Sequence, residues 1–103
     1  MRKAQLYVMA RVGPDGSTFT TTGRDAWALG ELVAAGSEGC TPITHPGPRW
    51  SAYVYTLRRE RGLVIDTIRE NHTGQFPGTH ARYVLRSPVE ILFRSDAQER
   101  RAA

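Results

Sequence analysis

Seven residues in the middle of the chain have the types and spacing to recognise a polyanion: Arg49, Ser51, Ala52, Tyr55, Thr56, Arg58 and Arg59. Arginine offers a planar fork of donors that matches phosphate and guanine edges, and small residues between arginines leave room for a helix to approach a groove about 12 Å wide. On a helical projection Arg49, Ala52, Tyr55, Thr56 and Arg59 share one side, where they would face the major groove. Ser51 and Arg58 stand on the flank toward the phosphates. A second group follows over residues 63–86: Arg69, His72, Thr73, Gln75, His80 and Arg82, donors suited to the backbone or the minor groove.

Other chemistries find less support. Asp66 and Glu70 with His72 and His80 could be drawn as an acid/base set, but no nucleophile, oxyanion nest or phosphate loop accompanies them. Cys40, His45, His72 and His80 lack the two close ligand pairs of a structural zinc site. The expectation is a non-enzyme with no cofactor and no metal.

Charge is distributed unevenly. Residues 1–48 carry four basic and four acidic side chains, whereas residues 49–86 carry seven arginines against three acids, so the excess sits on the donor-bearing segments. Thirteen of the fourteen basic residues are arginine; selection for phosphate contacts and a G/C-rich genome explain that bias equally well. A basic helix end such as RRERG also complements the helix dipole and aids solubility, but here the charges follow one face and lead into a further set of donors.

The elements that must position these groups can be read in order. At 103 residues the chain fits one domain with a modest core. Residues 5–21 read as a β-hairpin, QLYVMARV and STFTTT around the turn GPDG. Thr22 opens a helix, with Asp25 placed to complete a capping box, and Gly36 stops it. Ala26, Leu29, Leu32 and Val33 form its apolar stripe. Trp27, Gly30 and Ala34 lie round from that stripe, a second surface for the hairpin or another protomer to cover. In SEGCTPITHPGP, Thr41-Pro42 begins a helix that His45-Pro46 ends within a turn, and Cys40 and Ile43 should point inward.

Pro48 and Gly62 punctuate a helix over 48–62 with Trp50, Val54, Leu57 and the stem of Arg61 on its core side. LVIDTIRE and ARYVLRS then form a hairpin over 63–86 around a loop of about ten residues, NHTGQFPGTH. VEILF adds a short strand or cap, and residues 94–103 have the composition of a frayed tail.

The stretch from ALGELVAAG through CTPI to RWSAYVYTLRRERGLVIDTI resembles the small winged helix-turn-helix domains of phage and prophage proteins. The resemblance rests on a first helix ending in Gly and a Thr-Pro-led second one. It rests also on a third helix patterned as a small residue, an apolar one, a Leu-Arg pair and a closing Gly: Ser51, Val54, Leu57, Arg58 and Gly62. It implies an α+β winged helix-turn-helix fold over residues 22–93, a recognition helix with a C-terminal hairpin wing, and sequence-directed binding of double-stranded DNA in a regulatory role. The hairpin over 1–21 would be extra, an extension through which a homodimer could form, as it could through Trp27. The rival reading is a protein-docking module on the same frame. With no apolar run of membrane-spanning length and no signal-peptide core near the N-terminus, the expected location is the cytoplasm.

Overall fold

The computed structural model describes residues 5–96. Five strands and two α-helices follow one another as β1 (Tyr7–Val12), β2 (Thr18–Thr22), α1 (Gly23–Ala35), α2 (Trp50–Arg61), β3 (Ile65–His72), β4 (Gly78–Leu85) and β5 (Val89–Arg94). All strand pairs are antiparallel, in a three-stranded sheet ordered β2-β1-β5 and a two-stranded ribbon β3-β4. The frayed tail expected over 94–103 has its first residue in β5; beyond Asp96 it lies outside the described residues.

The N-terminal hairpin is where expected, but it is no appendage. β1 alternates with period two, Val8 and Ala10 buried and Tyr7 and Met9 exposed, and it is the central strand of its sheet because β5 pairs along its other edge. Val8 and Ala10 belong to the same buried cluster as Leu29, Leu32, Val54 and Leu57. The β1–β5 register slips between Met9 and Ala10, whose partners are Phe93 and Ile91. The extra residue, Leu92, makes this a β-bulge, and Leu92 and Phe93 are consequently exposed together.

α1 follows β2 without a loop. Thr22 is its N-cap residue but makes no side-chain capping bond, so the anticipated capping box does not form. The turn is held instead by Gly23, at φ 63°, whose N–H donates to the Leu6 carbonyl at 2.7 Å. Ala26, Leu29 and Leu32 are buried as expected, and Ala28 and Gly30 with them. Trp27 is half-buried: it packs on Trp50, with ring centroids 5.3 Å apart, and on Tyr53 at 6.4 Å, and its remaining surface lines an open pocket with Leu6 and Pro46. Gly30 lies beneath the Arg94 guanidinium, and Ala34 is exposed.

A 3-10 turn, Gly36–Glu38, leads into the connector. Gly39 must pass against β4: its φ is 71° and ψ −174°, and a Cβ there would fall 2.5 Å from the Tyr83 carbonyl oxygen. Cys40 and Tyr83 then exchange two backbone hydrogen bonds of 2.9 Å, tying connector to ribbon. Gly39→Ala should therefore cost about 2–3 kcal/mol, from a backbone region open only to glycine plus a clash with a backbone atom that cannot yield. Urea unfolding checks this; a loss under about 0.5 kcal/mol would refute the strain.

The second helix reduces to a single capped turn. The Thr41 hydroxyl accepts from the backbone N–H of Ile43 and Thr44, and the His45 N–H reaches the Thr41 carbonyl at 2.9 Å. Pro46 then prevents continuation. Cys40 is buried, but Ile43 points to solvent at 59% exposure, because the turn's hydrogen-bonded side, not its apolar residue, faces inward.

α2 starts at Trp50, two residues after Pro48, with Arg49 as N-cap and Gly62 closing it in the left-handed conformation at φ 66°. Trp50, Val54 and Leu57 are buried, joined by Tyr53, whose ring packs edge-on to Trp50 and Trp27. Arg61 bends back so that its guanidinium lies over Phe19 and donates to the Thr20 carbonyl. Of the three apolar residues after Gly62, Leu63 and Ile65 are buried while Val64 is 57% exposed. The ribbon strands run through His72 and from Gly78, which shortens the expected loop of ten residues to five, 73–77.

Candidate nucleic-acid interface

The ribbon register sorts the polar residues onto two faces. Ile65, Thr67, Arg69 and Asn71 stand opposite Leu85, Tyr83, Ala81 and Thr79; Asp66, Ile68, Glu70 and His72 stand opposite Val84, Arg82, His80 and Gly78. Side chains alternate across a strand, so the first set shares one face and the second set the other.

The first face closes a groove of about 510 Å³ against α2. Arg49, Ser51 and Arg58 line it from the helix, Thr67, Arg69 and Thr79 from the ribbon's first face, and the buried Trp50, Val54 and Tyr83 from beneath; His80 also borders it, although its imidazole is engaged on the ribbon's other face with His72 and Glu70. No carboxylate lines it. Tyr55, at 62% exposure, and Arg59 continue the open side of α2, and Ala52 is half-buried beside them. Among the described residues no hydrogen bond or ion pair occupies the guanidinium groups of Arg49, Arg59 or Arg69, all exposed. The structure thus presents two free cations, Arg49 and Arg69, and several hydroxyl donors around one acid-free concavity, with a third free cation, Arg59, on the adjoining open face of α2.

The other expected site residues are placed differently. Thr56 turns to the opposite flank, where with Thr20, Thr21, Thr22, Asp25 and Glu60 it lines a separate cleft of about 230 Å³ and donates to the Ala52 carbonyl at 3.1 Å. That cleft is acidic: burial, then the neighbouring Glu60, raises the Asp25 carboxyl above its ordinary pKa against the lowering pull of Arg61. Arg58 reaches the groove, but its guanidinium is spent on the Ile65 carbonyl and the Thr67 hydroxyl, fastening α2 to the ribbon root. Thr73 and Gln75 are exposed on the tip loop.

His72, His80 and Arg82 form a network on the ribbon's other face. The two imidazoles stack, their Nδ1 atoms 3.0 Å apart, and His80 Nε2 lies 3.1 Å from Glu70. Arg82 donates to both Glu70 oxygens and to the Glu38 carbonyl. The Arg82 hydrogen bond holds Glu70 below its ordinary pKa, and Arg82 is raised in turn. A carboxyl lowered in the folded state stabilises the fold above its unfolded pKa, and the contribution is lost as pH falls through the folded value. Acid unfolding of wild type should accordingly steepen below the usual carboxylate range, and Glu70→Gln should flatten that limb; unchanged acid profiles would refute the link.

The remaining titratable candidates do not converge. Cys40 is inert in the connector bridge, its thiol pushed up to about 11 chiefly by burial. His45 hydrogen bonds Thr44 and lies 3.7 Å from Glu31. Sequence reasoning missed Thr67 and Thr79 as groove residues; the alternation Ile65-Thr67-Arg69 carried the signal, since Arg69 and Thr67 must share a face. It missed Tyr53 because a tyrosine between Ala52 and Val54 fits either side of the projection.

A helix on a small helical body, followed at once by an antiparallel ribbon that flanks its open side, defines the winged-helix class of α+β proteins. The chain belongs to the winged helix domain family, whose model matches residues 18–95. No curated protein and no solved structure matches the chain. The match takes in β2, both helices, the wing β3-β4 and β5, and leaves out β1, although β1 is central to its sheet. Winged helix domains generally serve DNA binding and are typically non-enzymatic. No helix among the described residues is long and apolar enough to cross a membrane.

Proposed function

We propose that this protein binds double-stranded DNA, with α2 as the recognition element and the β3-β4 wing laid along the backbone or minor groove. The observation that carries this reading is the acid-free groove between them, bordered by Arg49 and Arg69 with Arg59 on the adjoining open helix face. Ser51, Ala52 and Tyr55 are the side chains available to base edges; Arg49, Arg59, Arg69 and Thr79 serve phosphates. Thr73 and Gln75 extend the contact from the wing tip. Arg58 and Arg82 act indirectly, by holding the wing at its angle to α2. A role as a small transcriptional regulator of phage or prophage type is the finer reading, supported by the Ser51–Gly62 helix pattern. It places the protein in the cytoplasm with the DNA.

Fluorescence anisotropy against a random duplex tests the proposal. Three arginine–phosphate contacts predict that log affinity falls with log salt at a slope of about −3. No binding at low salt, or binding indifferent to salt, would overturn it.

Self-association is a second reading, favoured by one feature: the outer face of the three-stranded sheet exposes Tyr7, Met9, Leu92 and Phe93, with Tyr7 and Phe93 rings 5.6 Å apart. This sheet face includes β1 of the hairpin and stands beside the half-buried Trp27 surface as a dimerisation candidate, the larger apolar exposure lying on the sheet. Sedimentation at increasing concentration decides it; a monomer throughout would dismiss it.

A further inference from the structure

Phe76 is the most exposed large hydrophobic residue among those described, at 80%, and it stands at the far end of the wing. The ribbon is tied to the body at its inner half, by the Cys40–Tyr83 bridge and by Arg82 on the Glu38 carbonyl. Outward of Ala81 its residues are exposed apart from the half-buried Glu70, His72 and His80. Eight-residue strands reach roughly 27 Å, so the tip stands well clear of the core. Its shape is set locally: Gly74 takes φ 121°, which other residues rarely adopt, and Pro77 fixes the backbone immediately after the ring.

An exposed aromatic ring at a projecting tip can serve as a wedge, and its surroundings say what it enters. From Asn71 through Leu85 there is no acidic side chain; behind the tip Arg82 and the two histidines are engaged with Glu70 and each other, and Arg69 on the groove side is a free cation. Glu70, the nearest carboxylate along β3, is held by Arg82. The tip is therefore suited to a surface that is negatively charged outside and apolar within. Duplex DNA has that construction, with phosphates bordering stacked bases, and apolar side chains entering from the minor groove can part a base step and kink the helix.

We propose that Phe76 inserts from the minor groove between adjacent base pairs, partly unstacking one step and bending the duplex away from the wing. The inference rests on the DNA-binding reading. It adds a mechanical action to it: the wing deforms the site, so that flexible pyrimidine–purine steps are preferred at the tip position.

A duplex of repeated TA steps, carrying 2-aminopurine in place of single adenines and a fluorophore pair at its ends, tests this with the full chain. Wild type should raise 2-aminopurine emission and shorten the end-to-end distance. Phe76→Ala should abolish both signals while weakening binding about tenfold, and Phe76→Leu should retain most of them. If wild type binds with the salt dependence described above but 2-aminopurine stays quenched, or if Phe76→Ala behaves as wild type, the wedge is overturned while DNA binding stands. If wild type binds no duplex at all, both fail together. If Phe76→Ala instead changes only the protein's sedimentation, the tip meets another copy of the chain and the wedge is again overturned.

Discussion

Trp50→Ala should destabilise the fold by about 3–5 kcal/mol, the range for removing a large aromatic from a packed core. Trp50 is 3% exposed and joins three elements. Its ring stacks on Tyr83 of the wing at 6.0 Å and 20°, packs on Trp27 of α1 at 5.3 Å, and its Nε1 donates to the His45 carbonyl of the connector at 2.7 Å. Truncation opens a cavity under the groove and leaves the half-buried His45 carbonyl without this donor, and in a domain this small each kcal/mol lowers the melting temperature by about 4–8 °C. Urea unfolding followed by circular dichroism measures the loss. A cost below about 1 kcal/mol would mean that the wing is not fastened to α2 through this residue. Trp50→Phe should fall between the two, keeping part of the stack and losing the hydrogen bond.

The largest expected effect on binding comes from Arg49, Arg59 and Arg69 replaced together by alanine. Exposed charge contacts are worth up to about 1 kcal/mol each, so the triple variant should bind duplex roughly 100-fold more weakly, with a salt slope shallower by about 3. Its melting temperature should stay close to wild type, because none of the three guanidinium groups is engaged within the described residues. Arg58→Ala and Arg82→Ala are poor substitutes: each removes hydrogen bonds that fasten the wing, so any loss of binding would come with a loss of stability. An unchanged slope in the triple variant would show that the groove is not where phosphates sit.

Local chemistry made much of the frame legible beforehand. Gly36 and Gly62 end the two helices because each takes a positive φ that few residues tolerate, and the GPDG turn marks the first hairpin. Trp50, Val54 and Leu57 recur at helical spacing and are the core face of α2. The family match and the resemblance agree on the fold, and the added finding is that the body has two α-helices and a turn where a second helix was reduced by His45-Pro46.

What escaped depends on contacts between residues far apart in sequence. β1 pairs with β5 across some eighty residues, and nothing local in YVMARV says that its second edge is occupied. The orientation of Thr56 is set by how α2 leans on β2, which a helical projection does not contain. Arg58 and Arg82 have the composition of phosphate binders; only the register that brings Thr67 and Glu70 within reach shows that their donors are taken. Composition counts charges, and packing decides which of them remain free.

The central claim is that the groove between α2 and the wing receives a nucleic-acid backbone. Backbone amide chemical shifts of ¹⁵N-labelled protein, titrated with a short duplex at low salt, test it most directly. The account predicts the largest changes over residues 49–59 and 67–80, with the outer face of β1 and β5 unmoved. Changes concentrated instead at Tyr7, Met9 and Phe93, or on the β2 and α1 side of the acidic cleft at Thr20, Thr22 and Asp25, would contradict it.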